Sequence, residues 1–131
     1  MILVDTTFLI DLQRGARNKR REEAEAWVDA NAHEELGIPA IVLGEFAEGF
    51  DDEDDPLLMG YRTGHRVFFV DERVAARYGV ISRSLRAAGL SIGTNDTWIA
   101  ATALAWGLPL LTRNVEHFGR VPGLAVVGYG G

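Results

Sequence analysis

The sequence predicts an α/β fold in which helices cover both faces of a mostly parallel, five-stranded sheet. Short apolar runs typical of buried strands alternate with longer segments whose apolar residues recur every three or four positions. Parallel strands need long crossover connections, and these are usually helices that pack on the faces of the sheet. The expected architecture is therefore a three-layer α/β/α domain.

Length and composition favour a single domain over residues 1–131. An apolar fraction of 47% and a charged fraction of 24% are ordinary globular values, and the absence of cysteine excludes disulfide scaffolds, thiolate zinc sites and cysteine nucleophiles. No basic segment precedes an apolar signal core, and no apolar run approaches the roughly 18 residues of a membrane span. We expect a soluble, cytoplasmic protein without membrane contact. The net charge of −6 excludes a surface that is basic throughout.

The first half of the chain alternates predicted strands with predicted helices. Asp5, Thr6 and Thr7 supply capping oxygens after the first strand, and Pro39 is expected at the first position of its helix, where its missing N–H costs nothing. The acidic run 51–55 predicts a solvated loop. The predicted strands are residues 2–4, 36–38 and 67–70, and a basic loop is predicted at residues 14–21. The first predicted helix follows Asp5 and ends at Leu12, and the others cover residues 22–32, 39–49 and 57–63.

The second half predicts two long helices and two further strands. Apolar spacing indicates a helix over residues 74–88 that Gly89 terminates in a left-handed conformation. Thr94 or Asn95 is expected to cap the next helix, which Gly107 ends. The remaining predictions are a helix at 96–106, strands at 108–112 and 124–127, a turn at 113–120 and a frayed tail at 128–131.

Three carboxylates stand where the carboxyl ends of parallel strands bring distant segments together. Asp5 follows the first strand, Glu45 interrupts an apolar helix, and Asp96 opens another helix. Two like charges about 4 Å apart cost roughly 1 kcal/mol in water and about 4 near a protein surface, so a cation is needed to hold them together. Mg²⁺ and Mn²⁺ bind carboxylate and water oxygens, which makes phosphodiester hydrolysis the leading chemistry.

Each carboxylate also has an ordinary structural explanation. Asp5 is suited to cap a helix, and Glu45 could form an ion pair or lie partly exposed. Asp96 lies in the first turn of a predicted helix, where the helix dipole stabilises a carboxylate. These three explanations are independent of one another, whereas a cation site requires all three acids. The combination therefore supports a site more strongly than any single residue does.

Other polar residues near these segments keep two explanations each. Thr112 and Asn114 either orient ligands or end a strand and form a turn, and His117 either contacts phosphate or is structural. A basic run near the first helix either holds an RNA backbone or forms a solvated face. Its members are Arg14, Arg17, Lys19, Arg20 and Arg21.

Four motifs together resemble the PIN-domain ribonucleases, and among them the VapC toxins of toxin–antitoxin pairs. The motifs are Ile2–Thr7, Glu45–Gly49, Asn95–Ala103 and Leu111–Asn114, and their order and spacing are those of the family. The resemblance extends over about residues 1–127. One motif alone is a weak signal, whereas four in order are specific.

The resemblance implies a three-layer fold, an endoribonuclease dependent on Mg²⁺ or Mn²⁺, a homodimer and a cognate antitoxin as partner. It assigns Asp5, Glu45 and Asp96 as the acidic catalytic site. Our hypothesis for the mechanism is that Asp5 and Asp96 hold the principal Mg²⁺, while Glu45 binds it through water or positions the attacking water. Thr6, Thr112 and Asn114 would support them. Asn114 stands near the place where the family often has a fourth acid, and His117 stands where aspartate is frequent.

Two further interpretations come from different classes of protein. A haloacid-dehalogenase-like phosphatase requires a second carboxylate two residues after Asp5, where this chain has Thr7, and a phosphoacceptor domain requires a lysine near the last strands, whereas the single lysine is Lys19. A catalytically degenerate module that binds RNA or a partner protein remains the alternative to an active nuclease. Metal-dependent cleavage distinguishes these two.

Overall fold

The computed structural model describes residues 1–13 and 18–130. Within these ranges five strands form one sheet, and every pairing between neighbouring strands is parallel. The strands are β1 (Ile2–Val4), β2 (Leu36–Pro39), β3 (Arg66–Phe68), β4 (Leu110–Thr112) and β5 (Val126–Gly128). Their order across the sheet is β3-β2-β1-β4-β5. The predicted α/β class with a five-stranded parallel sheet is confirmed.

Seven helices connect these strands in the part of the chain that the structure describes. They are α1 (Thr6–Leu12), α2 (Lys19–Ala30), α3 (Ala40–Ala47), α4 (Pro56–Gly64), α5 (Glu72–Ala88), α6 (Thr94–Trp106) and α7 (Val115–Phe118). Helix α3 contacts both α1 and α6, and α5 packs along α6. Within the same described ranges, every helix is too short or too polar to cross a membrane.

Both faces of the sheet are covered at its centre. The three residues of β1 and the three of β4 are all buried. Because successive side chains of a strand point to opposite faces, burial of every residue means that material packs on both sides. The core is therefore divided by the sheet into two apolar layers, as the alternation of strands and helices predicts.

The sheet brings the end of β1 beside the end of β4. Val4 is paired with Leu111, and the N–H of Asp5 donates to the carbonyl of Leu111 at 2.9 Å. Asp5 and Thr112 therefore lie at the same edge of the sheet, although 107 positions separate them in the sequence. Open parallel sheets usually place their binding sites at this edge.

Several predicted helix boundaries are wrong. Helix α2 begins at Lys19 because Asn18 caps it, its side-chain oxygen accepting the N–H of Arg21 at 3.0 Å. Pro39 is the last residue of β2 and the N-cap of α3, because it pairs with Phe68 in extended conformation. Gly93, with φ 95°, precedes α6, so neither Thr94 nor Asn95 caps that helix. Glycine adopts such a φ without a Cβ clash.

The predicted strand ends and the predicted tail also differ from the structure. β3 ends at Phe68, and the ring of Phe69 is 72% exposed. β4 is shorter than expected, and the predicted turn at 113–120 contains α7. Tyr129 is buried although residues 128–131 were expected to be frayed, because its ring packs edge-on against Phe8 at 5.0 Å.

Gly37 in β2 offers a test of sheet packing. A Cβ at this position would lie 2.6 Å from Cε1 of Phe68 and 2.8 Å from Cδ2 of Leu3, both buried. We expect Gly37→Ala to lower the free energy of unfolding by about 1–3 kcal/mol, since the clash forces core side chains to move. Urea denaturation measures this change.

Gly44 in α3 provides the matched control, because a Cβ there meets no atom within 4 Å. Gly44→Ala should stabilise the protein by up to about 1 kcal/mol through helix propensity alone. A Gly37→Ala protein as stable as the parent would contradict the packing described for β2.

Candidate functional site

Asp5 is a buried carboxylate that accepts three hydrogen bonds from described residues. It follows β1 directly and is 3% exposed. Its Oδ1 accepts the N–H of Thr6 at 2.7 Å, and its Oδ2 accepts the hydroxyls of Thr112 at 2.7 Å and Thr7 at 3.1 Å. Asp5 is thus the N-cap of α1, as its ordinary explanation predicts, and it is also joined to the end of β4.

Glu45 reaches the same turn from α3. Its Oε1 accepts the hydroxyl of Thr6 at 2.6 Å, and its Oε2 lies 3.4 Å from Nδ2 of Asn95, which donates to it. Glu45 is half-buried. Its carboxylate therefore connects the turn after β1 with the first turn of α6.

Asp96 lies in the first turn of α6 and contacts His117 of α7. Nε2 of His117 lies 2.8 Å from Oδ2 of Asp96 and 3.0 Å from the carbonyl oxygen of Ile92. Because both neighbours are acceptors when Asp96 is ionised, Nε2 carries the proton and donates. His117 therefore fixes the orientation of the Asp96 carboxylate.

The three carboxylates interact electrostatically through the protein. Burial raises the pKa of Asp5, the charge of Asp96 raises it further, and the bonds from Thr112, Thr6 and Thr7 oppose this shift. Burial also raises the pKa of Asp96, as does the charge of Glu45, while His117 acts in the opposite direction. Asp5, Asp96 and Glu45 thus form a chain of repelling acids.

The donor chemistry of this cluster fits a hard divalent cation. Of the roughly four lone-pair sites of a carboxylate, three on Asp5 are used by the bonds above, which leaves one on Oδ1. Oδ1 of Asp96 accepts no hydrogen bond from the described residues. Both acids therefore keep an oxygen for a ligand.

The acids do not form a ready-made cage of three ligands. Among residues 1–13 and 18–130, no group of three or more acidic, histidine or cysteine side chains is close enough to hold a metal ion. Mg²⁺ does not require such a cage, since it is usually bound by one or two carboxylates and keeps several waters. A site of that kind would need no more than two of the three acids in this cluster.

The supporting residues named from the sequence lie in this cluster. Thr6 and Thr112 donate their hydroxyls to Glu45 and Asp5. Asn114 acts through its main chain, because its N–H donates to Oγ1 of Thr112 at 3.0 Å and its side chain does not cap α7. This bond fixes the hydroxyl that Asp5 accepts.

Sequence reasoning missed the donors contributed by Thr7, Asn95 and His117. Thr7 and Asn95 were interpreted as capping residues, yet their side chains contact Asp5 and Glu45. The sequence did contain a signal, since each stands within two positions of a predicted acid. For His117, 21 positions separate it from Asp96, so the contact depends on the fold.

The basic run divides into two parts. Arg14 and Arg17 lie outside the described residues. Lys19 and Arg20 are exposed in the first turn of α2. Arg21 donates through Nε to Oε1 of Glu25 at 2.7 Å.

A second buried carboxylate, Asp11, joins α1 to the segments after β4 and β5. Its Oδ2 accepts Nε of Arg113 at 3.0 Å and the hydroxyl of Tyr129 at 2.7 Å. Burial and the neighbouring Asp11 raise the pKa of Tyr129. The contacts of Asp11 with Arg113 and Tyr129 hold the C-terminal segment close to Thr112. No motif in the sequence predicted these contacts.

Comparison with known proteins places this arrangement among characterised folds. The chain matches the PIN domain family model over residues 2–124. It is 32% identical to ribonuclease VapC1 of Methanocaldococcus jannaschii over 124 residues, which cover 92% of this chain and 80% of the relative.

Two solved structures share the fold over nearly their whole length. VapBC-1 from nontypeable Haemophilus influenzae has a TM-score of 0.78 and 26% identity, with 98% of each chain covered. A toxin–antitoxin complex from Klebsiella pneumoniae has a TM-score of 0.72 and 25% identity, covering 97% of this chain and 96% of that one.

The raised pKa of Asp5 predicts how stability depends on pH without divalent cations. The pKa of Asp5 is higher in the folded protein than its value of 3.8 in the unfolded protein. Such an acid costs no stability below pH 3.8, and its charge destabilises the fold as the pH rises through the pKa of the folded protein. Asp5→Asn should therefore raise the free energy of unfolding at neutral pH relative to the parent. The difference should vanish near pH 3, as measured by urea denaturation in a chelator.

Asp71, the N-cap of α5, is a control of opposite sign, because its backbone bond from Val74 lowers its pKa. Its stabilisation is present above pH 3.8 and is lost as pH falls through the folded pKa. Asp71→Asn should therefore remove stability at neutral pH rather than add it. Equal effects of the two variants would refute the burial argument for Asp5.

Proposed function

This chain belongs to the PIN-domain family, and we propose that it is a VapC-type toxin that cleaves RNA phosphodiester bonds with the help of a divalent cation. The observation that carries the proposal is the hydrogen-bonded cluster in which Asp5 at the end of β1, Glu45 of α3 and the first turn of α6 with Asp96 meet. Each acid of this cluster is subject to the charge of another or exerts its charge on another. The likeness to ribonuclease VapC1 over most of both chains supports RNA as the substrate.

We assign Mg²⁺, or Mn²⁺ in its place, to Oδ1 of Asp5, which keeps one lone-pair site, and to Oδ1 of Asp96, with Glu45 acting through water. When bound, the cation supplies positive charge that favours ionisation of water and offsets the negative charge on the phosphate oxygens. Burial raises the pKa of Asp5 and of Asp96, and repulsion from a neighbouring acid adds to each shift. A bound cation would favour the ionised form of both groups, which agrees with this assignment.

The chain's own residues orient the reacting groups. Thr6 holds Oε1 of Glu45 at the turn after β1, where this carboxylate would orient the attacking water. Thr112 and Thr7 hold Oδ2 of Asp5, and Oδ1, which accepts one bond from Thr6, would contact the cation. His117 does the same for Asp96 by contacting Oδ2. Each acid is thus presented in one orientation, which lowers the entropy lost on reaching the transition state.

A cognate antitoxin and a second copy of the chain are the proposed protein partners. The solved toxin–antitoxin complex, which shares this fold over 97% of the chain, supports the first. The second follows from the family resemblance alone, and light scattering of the purified protein tests it. The proposed setting for this activity is the cytoplasm.

A binding module without turnover is the second candidate function. It is favoured by the lack of a preformed three-ligand cage among the described residues and by Asn114 near the place of a fourth acid. Such a module would bind RNA or a partner protein but release no cleaved product. RNA cleavage that stops on chelation and returns with Mg²⁺ excludes it.

Loss of either ligand carboxylate should abolish cleavage. Asp5→Ala and Asp96→Ala should each lower kcat/KM for RNA by about 10²-fold or more, since several kcal/mol of charge stabilisation are lost. Gel analysis of a labelled RNA after incubation with Mg²⁺ measures this, and circular dichroism confirms that the variants are folded.

Glu48→Gln is the matched control, because Glu48 is exposed and lies three residues after Glu45. It should cleave RNA at the parental rate. Undiminished cleavage by both alanine variants would reject the assignment of the two acids.

Cation binding should stabilise the fold independently of any activity. Mg²⁺ at 100 times its dissociation constant should raise the free energy of unfolding by about 2.7 kcal/mol. Asp5→Asn and Asp96→Asn should lose most of this gain, whereas the exposed-cap variant Asp71→Asn should keep it. Thermal unfolding with increasing Mg²⁺ measures the gain, and an equal gain in all four proteins would place the cation elsewhere.

A further inference from the structure

A second cavity adjoins the acidic site on the side of α5. Its volume is about 190 Å³, and it lies between the C-terminal half of α5 and the start of α6. It shares Gly93 and Thr94 with the cavity of about 430 Å³ that Glu45 and Asp96 line. An RNA strand that leaves the acidic site across these two shared residues therefore enters the second cavity.

Arginine and hydroxyl groups line this cavity. Arg86 lies on its wall together with the hydroxyl residues Ser82, Ser91 and Thr94. Tyr78 forms another part of the wall, and its ring stacks on Trp98 with 3.9 Å between centroids. Guanidinium and hydroxyl donors next to one another are the groups that proteins use to bind phosphate.

Arg86 is available for an anion. It donates a long hydrogen bond of 3.3 Å to Oγ of Ser82, and among the described residues no carboxylate lies within ion-pair distance of it. Arg73 of the same helix differs, since it pairs with Asp71 at 3.4 Å and lies 4.5 Å over the ring of Trp106.

Helix α5 is basic in a chain whose net charge is −6. It carries one acidic residue, Glu72, and four arginines, Arg73, Arg77, Arg83 and Arg86. Helix α2, which carries part of the basic run, has four acidic residues, Glu22, Glu23, Glu25 and Asp29, beside Lys19, Arg20 and Arg21. Of these two helices, only α5 carries a net positive charge.

We propose that this second cavity is a subsite for the RNA backbone, in which Arg86 contacts a phosphate that adjoins the one cleaved. The hydroxyls of Ser82 and Ser91 complete the contact. This inference rests on the proposed ribonuclease function and deepens it by giving the path of the substrate. Arg86 also lies in the last turn of α5, where the helix dipole interacts favourably with a cation. An effect of its removal on RNA binding must therefore be measured apart from an effect on the stability of the fold.

The test compares Arg86→Ala with Arg77→Ala. Both variants lose one charge from α5, but Arg77 lines a separate surface depression with Ala76 and Val80. Binding of a short fluorescein-labelled single-stranded RNA is measured by anisotropy with Mg²⁺, in a Glu45→Gln background that prevents turnover. Cleavage kinetics are measured in the parental background, and thermal unfolding confirms that each variant is folded.

Arg86→Ala should weaken RNA binding roughly tenfold, as expected for a charged hydrogen bond, and Arg77→Ala less than about twofold. The slope of log K against log salt should fall by about 0.7 for the lost phosphate contact. KM for cleavage should rise in Arg86→Ala while kcat stays close to the parental value.

A second pair tests the same cavity without removing an arginine. Ser91→Asp places a negative charge on the cavity wall, and Ser84→Asp places one on an exposed position of α5 outside it. Only the first should weaken RNA binding strongly.

The outcomes separate the two proposals. Equal effects within each pair, with cleavage by the parent intact, would overturn the subsite and leave the nuclease standing. A parent that neither cleaves nor binds RNA would overturn the proposed function and the subsite with it.

Discussion

Repulsion between buried carboxylates is the constraint on which the site depends. Asp5 is buried at the end of β1 and is subject to the charge of Asp96, and Asp96 is itself half-buried and subject to the charge of Glu45. Two of these groups therefore have raised pKa values, and the hydroxyls of Thr7 and Thr112 offset only part of that cost. The parallel sheet fixes Asp5 beside Thr112, and α3 contacts both α1 and α6, so that Glu45 accepts hydrogen bonds from the first turns of both helices. The proposed divalent cation would offset this repulsion.

The sequence was sufficient for the sheet and for the position of Asp5 at its edge because both depend on strong local signals. Ile2, Leu3 and Val4 form an uninterrupted apolar run, and this predicts a central strand with Asp5 at its end. Gly89 and Gly107 end their helices with positive φ, as their positions after apolar helical segments predict. Four motifs in order then identified the family, whose model matches residues 2–124.

The remaining features required the fold, since they depend on residues far apart in sequence. Asp11 and Tyr129 are separated by 118 positions, and the tail that carries Tyr129 was expected to fray. The short helix α7 has four residues and no side-chain cap, too little for a periodic signal. Arg86 lies in a predicted amphipathic helix whose apolar spacing was explained by packing alone, so nothing in the sequence singled it out. Its place beside the acidic site appears only when α5 packs along α6.

The most direct measurement of the central claim is a carbon NMR titration of the carboxyl groups of Asp5, Asp96 and Glu45, with and without Mg²⁺. If repulsion and burial govern the site, the pKa values of Asp5 and Asp96 stand above 3.8 in the metal-free protein and fall when Mg²⁺ binds. Ordinary pKa values for both groups that do not respond to Mg²⁺ would contradict the account.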